Sequence, residues 1–458
     1  MTTTTIPPAP TWDLESIFPG GSKSEQFKAH RQKSAAELEQ VAAVLKALPE
    51  TITDTTIAQW AEFVSKLQSL LEDIELTYSM AGCLSSQNVD DAPAHAIEAE
   101  ADVQVAQWEK LLTGLEARAM KVPDDQWGLL LKQPAMAEIR FYLDERRTIA
   151  KSKMPLERET LALDLAVNGL HAWSRLYAKI AGGIKVDFTE DGETKKISMG
   201  QIATKMSDPD RAIRQQAFAG MVEGWEREAD MTAMALNNLA GFRLSLNQHR
   251  NWESPLYEPL VAARLQQKSL DTMWDVIRRE TGRLKPYIDA KKKLLGIDKF
   301  CWYDEFAPCG KVDKLYSFEE AGKFVVEQAG RFSADMAEFM RMALDNRWVE
   351  AEDRAGKRAG GYCTSLGPIK QSRIFMTYAG SFENLLTLAH ELGHAYHQWV
   401  LKDRPPFAAG YPMNLAETAS IFTETLVVDA ALEAADDPQE KLMLLEQKLQ
   451  GAYVMYTD

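Results

Sequence analysis

Apolar residues recur at helical spacing along most of the chain. Ile57, Trp60, Phe63, Val64, Leu67, Leu70, Leu71 and Ile74 fall on one face of a helix beginning near residue 57. A similar pattern spans 24–47 and stops before Pro49. Another opens at Pro93, a residue suited to a first helical turn, and runs through Trp108, Leu111 and Leu115 to Pro123. Further helices are predicted over 136–148, 155–180, from Ser207 and Pro209 to about Leu246, 268–295 and 317–346. Two stretches break the period. Residues 184–198 alternate around Asp191-Gly192, a hairpin signal. Residues 356–380 are Gly-rich, with strand predictions at 361–366 and 373–378. Residues 1–22 read as a polar, Pro-rich arm, and Lys291-Lys292-Lys293 as a solvated helix end. The pattern predicts a mainly α protein in two lobes, 1–200 and 201–458.

The second break leads into ENLLTLAHELGHAYHQWVLK, residues 383–402, an amphipathic helical run carrying His390-Glu391-Leu392-Gly393-His394. Residues four apart share a helix face, so both imidazoles can close on one zinc ion. Glu391 then lies near enough to take a proton from a water on that ion. Such a pattern arises by chance about once in a hundred chains of this composition, so its context must decide.

A zinc centre needs a third protein ligand. His397, seven residues after His390, is displaced by about 10.5 Å along a straight helix, too far to join. The metzincin pattern fails as well, since it requires Gly at 397 and His at 400 where this chain has His397 and Val400. His397 is therefore read as a packing or ligand-supporting histidine. Residues 403–413, DRPPFAAGYPM, can reverse the chain, and helical periodicity resumes from Asn414, the predicted cap. An antiparallel return brings Glu417 opposite the HELGH face, completing His390, His394 and Glu417. Glu424, on the same face, is assigned to hydrogen-bond a ligand histidine. The di-iron reading of Glu391-x-x-His394 fails because no other histidine has Glu three residues before it. The strand before the helix could pair with an extended peptide or could merely prop the helix.

Net charge of −15 argues against nucleic-acid and anionic-membrane partners. Cys83, Cys301, Cys309 and Cys363 form no CxxC and predict no disulfide framework, as in a reducing compartment. The N-terminus lacks the basic and apolar regions of a signal peptide, and no apolar run reaches a membrane span. A cytoplasmic, soluble protein is expected.

KRAGGYCTSL, RIFMTYAGSFENLLTLAHELGHAYH and NLAETASIFTETL together resemble the thimet-type zinc oligopeptidases, in their oligoendopeptidase F branch. The resemblance extends through KKKLLGIDKFCWYDEFAP and back to WDLESIFP. It implies a two-lobed helical endopeptidase with a deep channel that admits short peptides, and a small sheet beside the HExxH helix. It also implies one zinc ion per chain, held by His390, His394 and Glu417, with Glu391 as general base. Gly360, Gly361, Tyr362, Cys363 and Thr364 match the segment that pairs with substrate. Members continue beyond the second zinc helix to a His/Tyr pair that steadies the oxyanion. This chain stops at GAYVMYTD, and Tyr453 and Tyr456 do not match that pair, so it reads as C-terminally truncated. A non-catalytic fragment binding zinc or peptide is the alternative expectation, and a metal-dependent carboxypeptidase or dipeptidase a further one.

Overall fold

Helices form where the apolar period predicts them, and their ends are set by side chains that satisfy free backbone N–H groups. The computed structural model describes residues 6–309 and 315–457. Ser24 accepts from Phe27 N at the start of Glu25–Ala47, and Asp91 from Ala94 N before Ala92–Lys121. Ile57–Gln87 buries Trp60, Phe63, Val64, Leu67, Leu70 and Ile74, the predicted face. The described helices are joined by a two-stranded hairpin and a three-stranded sheet. No described helix is long and apolar enough to cross a membrane.

Several predicted single helices are split. The 268–295 run becomes Gln267–Glu280 and Lys285–Leu295 on either side of the tight turn Thr281–Leu284. The 136–148 helix starts at Arg140, after a separate short helix Pro134–Ala137. Two more divide. The 155–180 run breaks at Gly169 into Leu156–Asn168 and Leu170–Gly183. A Cβ at Gly169 would lie 2.9 Å from the Leu165 carbonyl and 3.2 Å from the Phe242 ring, so only glycine fits the crossing. The 317–346 run breaks at Ser333, which ends Phe318–Phe332 and caps Ala334–Asp345 through Met336 N.

The chain divides into two compact units, Met1–Leu163 with Lys314–Val427, and Asp164–Asp313 with Val428–Asp458. The contacts do not follow the expected cut between 200 and 201. The reason lies in the first unit, where strands from the second half of the chain pack on a helix from the first. Strands β3 (Val349–Glu350), β4 (Tyr362–Leu366) and β5 (Gln371–Phe375) form a sheet in the order β3-β5-β4. β3 pairs parallel with β5, whereas β4 pairs antiparallel with it. β5 begins two residues before its predicted start, and Met376 and Tyr378 go on bonding to the carbonyls of Glu350 and Ala351. Leu366 and Phe375 share one apolar cluster with Leu76, Met80 and Leu84 of the Ile57–Gln87 helix.

The N-terminal arm belongs to that cluster too. Trp12 and Leu14 are buried, contrary to the polar reading of this segment. Trp12 N donates to Glu350 Oε2 (3.2 Å), its indole N–H to Gln87 Oε1 (2.8 Å), and its ring lies 5.7 Å from that of Phe375. Buried Arg373 donates twice to the Asp13 carbonyl. One or two apolar residues in a Pro-rich stretch carry no period, so the segment's role is visible only in the fold.

In the second unit, hairpin strands β1 (Lys185–Glu190) and β2 (Glu193–Ser198) close through Asp191 and Gly192, both at positive φ. Val186, Phe188, Ile184 and Ile202 pack with Ala217 of the Arg211–His249 helix. Lys291 is not solvated. It is buried and donates to Glu446 Oε1 (2.7 Å) and to the Glu305 carbonyl (2.6 Å), because its turn of helix faces the Pro438–Thr457 helix.

Candidate metal centre

The Phe382–Leu401 helix begins at Ser381, whose hydroxyl accepts from Asn384 N. It buries Leu385, Leu388, Ala389 and Leu392. Ser372 on β5 donates to Gln398 Oε1 (2.7 Å), and the Cys363 thiol of β4 points to the same oxygen (3.8 Å). The sheet is thereby fastened to the helix one turn beyond the histidine pair.

The second helix, Glu417–Ala434, crosses the first at Gly393. A Cβ there would lie 2.7 Å from the Ala419 carbonyl, 2.7 Å from Thr423 Oγ1 and 2.8 Å from Ser420 Cα. The missing side chain lets the backbones touch. Asn414 is not the cap; it sits inside the preceding turn Met413–Leu415, which delivers the chain to Glu417.

The crossing brings together the three predicted ligands. His390 Nε2 and His394 Nε2 are 3.1 Å apart, and each is 3.2 Å from Glu417 Oε2. A tetrahedral ion with ligand distances of about 2.0–2.1 Å requires ligand atoms about 3.3 Å apart, so the triangle has the size of one zinc face. Ser420 Oγ donates to Glu417 Oε2 (2.8 Å), holding that carboxylate. His390 Nδ1 bonds to Glu424 Oε1, which leaves Nε2 with its lone pair toward the triangle. Among the described residues no other group of His, Cys, Asp and Glu converges in this way.

Glu391 lies beside the triangle, buried, and its Oε2 has no hydrogen-bond partner. Burial pushes its carboxyl up to about 7; His390 opposes the shift, and the Glu417 and Glu424 carboxylates add to it. Burial would push His390 down, but the hydrogen bond to Glu424 and the surrounding carboxylates raise it overall. His394 is lowered, chiefly by burial, against the pull of Glu417. A buried carboxylate and a cluster of nitrogen and oxygen lone pairs suit a divalent cation.

Among the described strands β4 lies at the edge of its sheet, paired with β5. Its start passes close to the base, since a Cβ on Gly361 would lie 3.4 Å from Glu391 Oε1. Gly360 takes φ +98°, a conformation glycine adopts without strain. The Tyr362 hydroxyl donates to the Gly82 carbonyl (3.2 Å) and meets Ser86 Oγ at 3.0 Å, and Thr364 Oγ1 meets Ser79 Oγ at 2.8 Å. These two side chains, with the Cys363 thiol on Gln398, are engaged with the protein. What the strand offers a ligand is its backbone edge.

His397 stays outside the triangle. Its ring stacks on Tyr411, centroids 4.2 Å apart and planes at 19°, and its buried Nδ1 has no partner. Sequence reading missed Gly393, Ser420 and Tyr411. A glycine inside a helical run, costing about 1 kcal/mol against alanine, was the available signal for the first.

A model of peptidase family M3 matches residues 204–456. The chain belongs to peptidase family M3. An oligopeptidase F model matches residues 119–185, which places the chain in the oligoendopeptidase F branch of the M3 peptidases. Over 455 residues it is 24% identical to the chromosomal oligoendopeptidase F of Lactococcus lactis subsp. cremoris, covering 97% of this chain and 73% of that protein. Oligopeptidase PepF of Bacillus subtilis (strain 168) is 22% identical over 448 residues, covering 96% of this chain and 65% of the relative. The fold matches the crystal structure of oligoendopeptidase-F from Enterococcus faecium with a TM-score of 0.67 at 20% identity, over 93% of this chain and 71% of that one. As an M3 member of this branch the chain is a metalloendopeptidase.

Proposed function

We propose that this M3 peptidase uses one zinc ion, held by His390, His394 and Glu417, to hydrolyse internal bonds of short peptides, with Glu391 as general base. The ligand triangle, three atoms 3.1–3.2 Å apart beside a buried carboxylate, carries the reading. Zinc bound there would polarise the scissile carbonyl and make a water nucleophilic near neutral pH. Glu391 takes the attacking water's proton on Oε2, which no protein donor occupies, and passes it to the leaving amine. Glu424 keeps the His390 ring turned so that Nε2 faces the ligand triangle. The free edge of β4 holds the peptide extended through main-chain hydrogen bonds, while Gly361 leaves room between strand and base.

The test is hydrolysis of a mixed set of short, end-blocked peptides by the zinc-loaded chain, beside Glu391→Gln and Glu417→Ala. Internal cleavage by the parent, no turnover but full zinc in the first variant, and lost zinc in the second are expected. Undiminished turnover in Glu391→Gln would overturn the base assignment, and full zinc in Glu417→Ala the ligand set.

A further inference from the structure

We propose that Phe407 is a positioning residue for the metal centre, pinning the turn between its two helices to the helical core of residues 38–143. The pin fixes where Glu417 enters the ligand triangle. The proposal rests on the zinc reading above and extends it to a side chain outside the ligand set. Residues 402–416 join the HELGH helix to Glu417–Ala434. Most of this segment lies at the surface, and only Phe407 and Pro412 in it are buried. Met413 and Leu415, in the turn directly before Glu417, are both exposed. Near its start the segment makes an ion pair, Lys370 with Asp403 (2.6 Å), exposed on both sides and so of little weight. The stack of Tyr411 on His397 only returns the segment to the HELGH helix.

Phe407 reaches further. It is 3% exposed, and its ring stacks on Tyr142 (centroids 4.1 Å apart, planes at 23°) and meets Trp108 edge-on at 6.3 Å. Every other buried residue of this apolar cluster comes from residues 38–143. The main chain is held as well. Phe407 N donates to Oε1 of buried Gln68 (3.2 Å), and the indole N–H of Trp108 donates to the carbonyl of the adjacent Leu67 (3.0 Å). Three helices, Ile57–Gln87, Ala92–Lys121 and Arg140–Ala150, therefore grip one residue of the turn through both its ring and its amide. With both fixed, the turn cannot slide on the core. The crossing at Gly393 sets how closely the second helix approaches, whereas the pinned turn sets where along its axis that helix begins. Glu417 is its first residue, and zinc ligation tolerates an error of only about 0.2 Å.

The experiment measures, on the full chain, zinc affinity by chelator competition and urea unfolding of the metal-free protein. Phe407→Ala is compared with Leu130→Ala, which truncates a fully buried member of the same cluster on the helix Asp124–Leu130, outside the turn. Both should unfold at lower urea. Phe407→Ala alone should weaken zinc, by about tenfold, as for loss of a group that supports a ligand. It should also shift the visible absorption of the cobalt-substituted protein, which reports ligand geometry. Phe407→Leu, which keeps an apolar pin, should recover most of the affinity. Gln68→Leu removes only the acceptor of the Phe407 amide and serves where Phe407→Ala does not fold; it should weaken zinc about threefold, as for one hydrogen bond. Parent-like zinc affinity in folded Phe407→Ala or in Gln68→Leu, or an equal fall in Leu130→Ala, would overturn the proposal. Zinc affinity in Glu417→Ala equal to that of the parent would overturn the ligand reading itself, and this proposal with it.

Discussion

Replacing Gly393 by alanine tests whether the two helices of the metal centre are held at contact distance by one absent side chain. In an exposed helix the change should stabilise by about 1 kcal/mol, since alanine has the higher helix propensity. Here the new methyl would stand 2.7 Å from the Ala419 carbonyl and 2.8 Å from Ser420 Cα, both backbone atoms. Thr423 Oγ1, also at 2.7 Å, is tied to the Ala419 carbonyl by a 2.8 Å hydrogen bond and cannot swing aside freely. Ordinary contact begins near 3.4 Å, so the helices must part by roughly 0.7 Å, an overpacking that costs about 1–3 kcal/mol. The propensity gain offsets part of this, leaving a net destabilisation of roughly 0–2 kcal/mol. Metal binding should suffer more. Glu417 sits on the helix that moves, and zinc ligation tolerates only about 0.2 Å. Zinc affinity should therefore fall at least about tenfold, which is about 1.4 kcal/mol. Thermal unfolding of the metal-free protein and competition with a chelator measure the two effects. Gly241→Ala is the control, because nothing lies within 4 Å of a Cβ there in the Arg211–His249 helix. If Gly393→Ala raises the melting temperature as Gly241→Ala does and binds zinc like the parent, the close crossing is refuted.

Two further outcomes are expected. Glu424→Ala frees the His390 ring and should lower zinc affinity about 10–100-fold while the metal-free fold unfolds as before; chelator competition showing no change would remove its supporting role. Asp304→Asn should destabilise the second unit by roughly 3–5 kcal/mol, because wholly buried Asp304 accepts from Arg211 (2.8 and 2.9 Å) and from Arg214 (3.3 Å), which is itself buried. Burial alone would raise the Asp304 carboxyl, but hydrogen bonds from Arg211, the Cys301 backbone and Arg214 hold it below its ordinary 3.8. Its contribution is thus full above that pH and is lost as pH falls through the lower folded value. Urea unfolding should separate parent and variant near neutral pH and bring them together in strong acid. An equal gap at both pH values would refute the assignment.

What was legible in the sequence is what depends on local spacing. His390 and His394 share a face because a helix repeats every 3.6 residues, and Glu417 follows from a chain reversal that Pro405, Pro406 and Gly410 announce. Glu424 is seven residues further along the same helix, so it was legible for the same reason. Asp191-Gly192 named its own turn. Several of the misses are residues whose role is set by something distant. β3 is two residues long and exists only because β5 lies beside it. Trp12 is inserted into a cluster built from residues 76–97 and 366–375. Lys291 looked solvated until a carboxylate 155 residues away reached it. Contacts divide the chain elsewhere than between 200 and 201, since contiguity in sequence says nothing of which helix a later strand will cover.

The same distinction explains how the site is made accurate. Residues of the HELGH helix contribute three side chains to the candidate site, yet none is positioned by that helix alone. Gly393 sets the distance to Glu417, Ser420 fixes the carboxylate oxygen, and Glu424 turns the His390 ring. On the other side, Gln398 gathers Ser372 and Cys363, so the strand that passes Glu391 is tied to the helix that carries it. Tyr362 and Thr364 extend that tie to Gly82, Ser86 and Ser79 in the first third of the chain. The motif supplies the chemistry, whereas its precision comes from residues with no chemistry of their own. Substitutions at Gly393 or Ser420 should therefore impair metal binding while every ligand and the base remain in place.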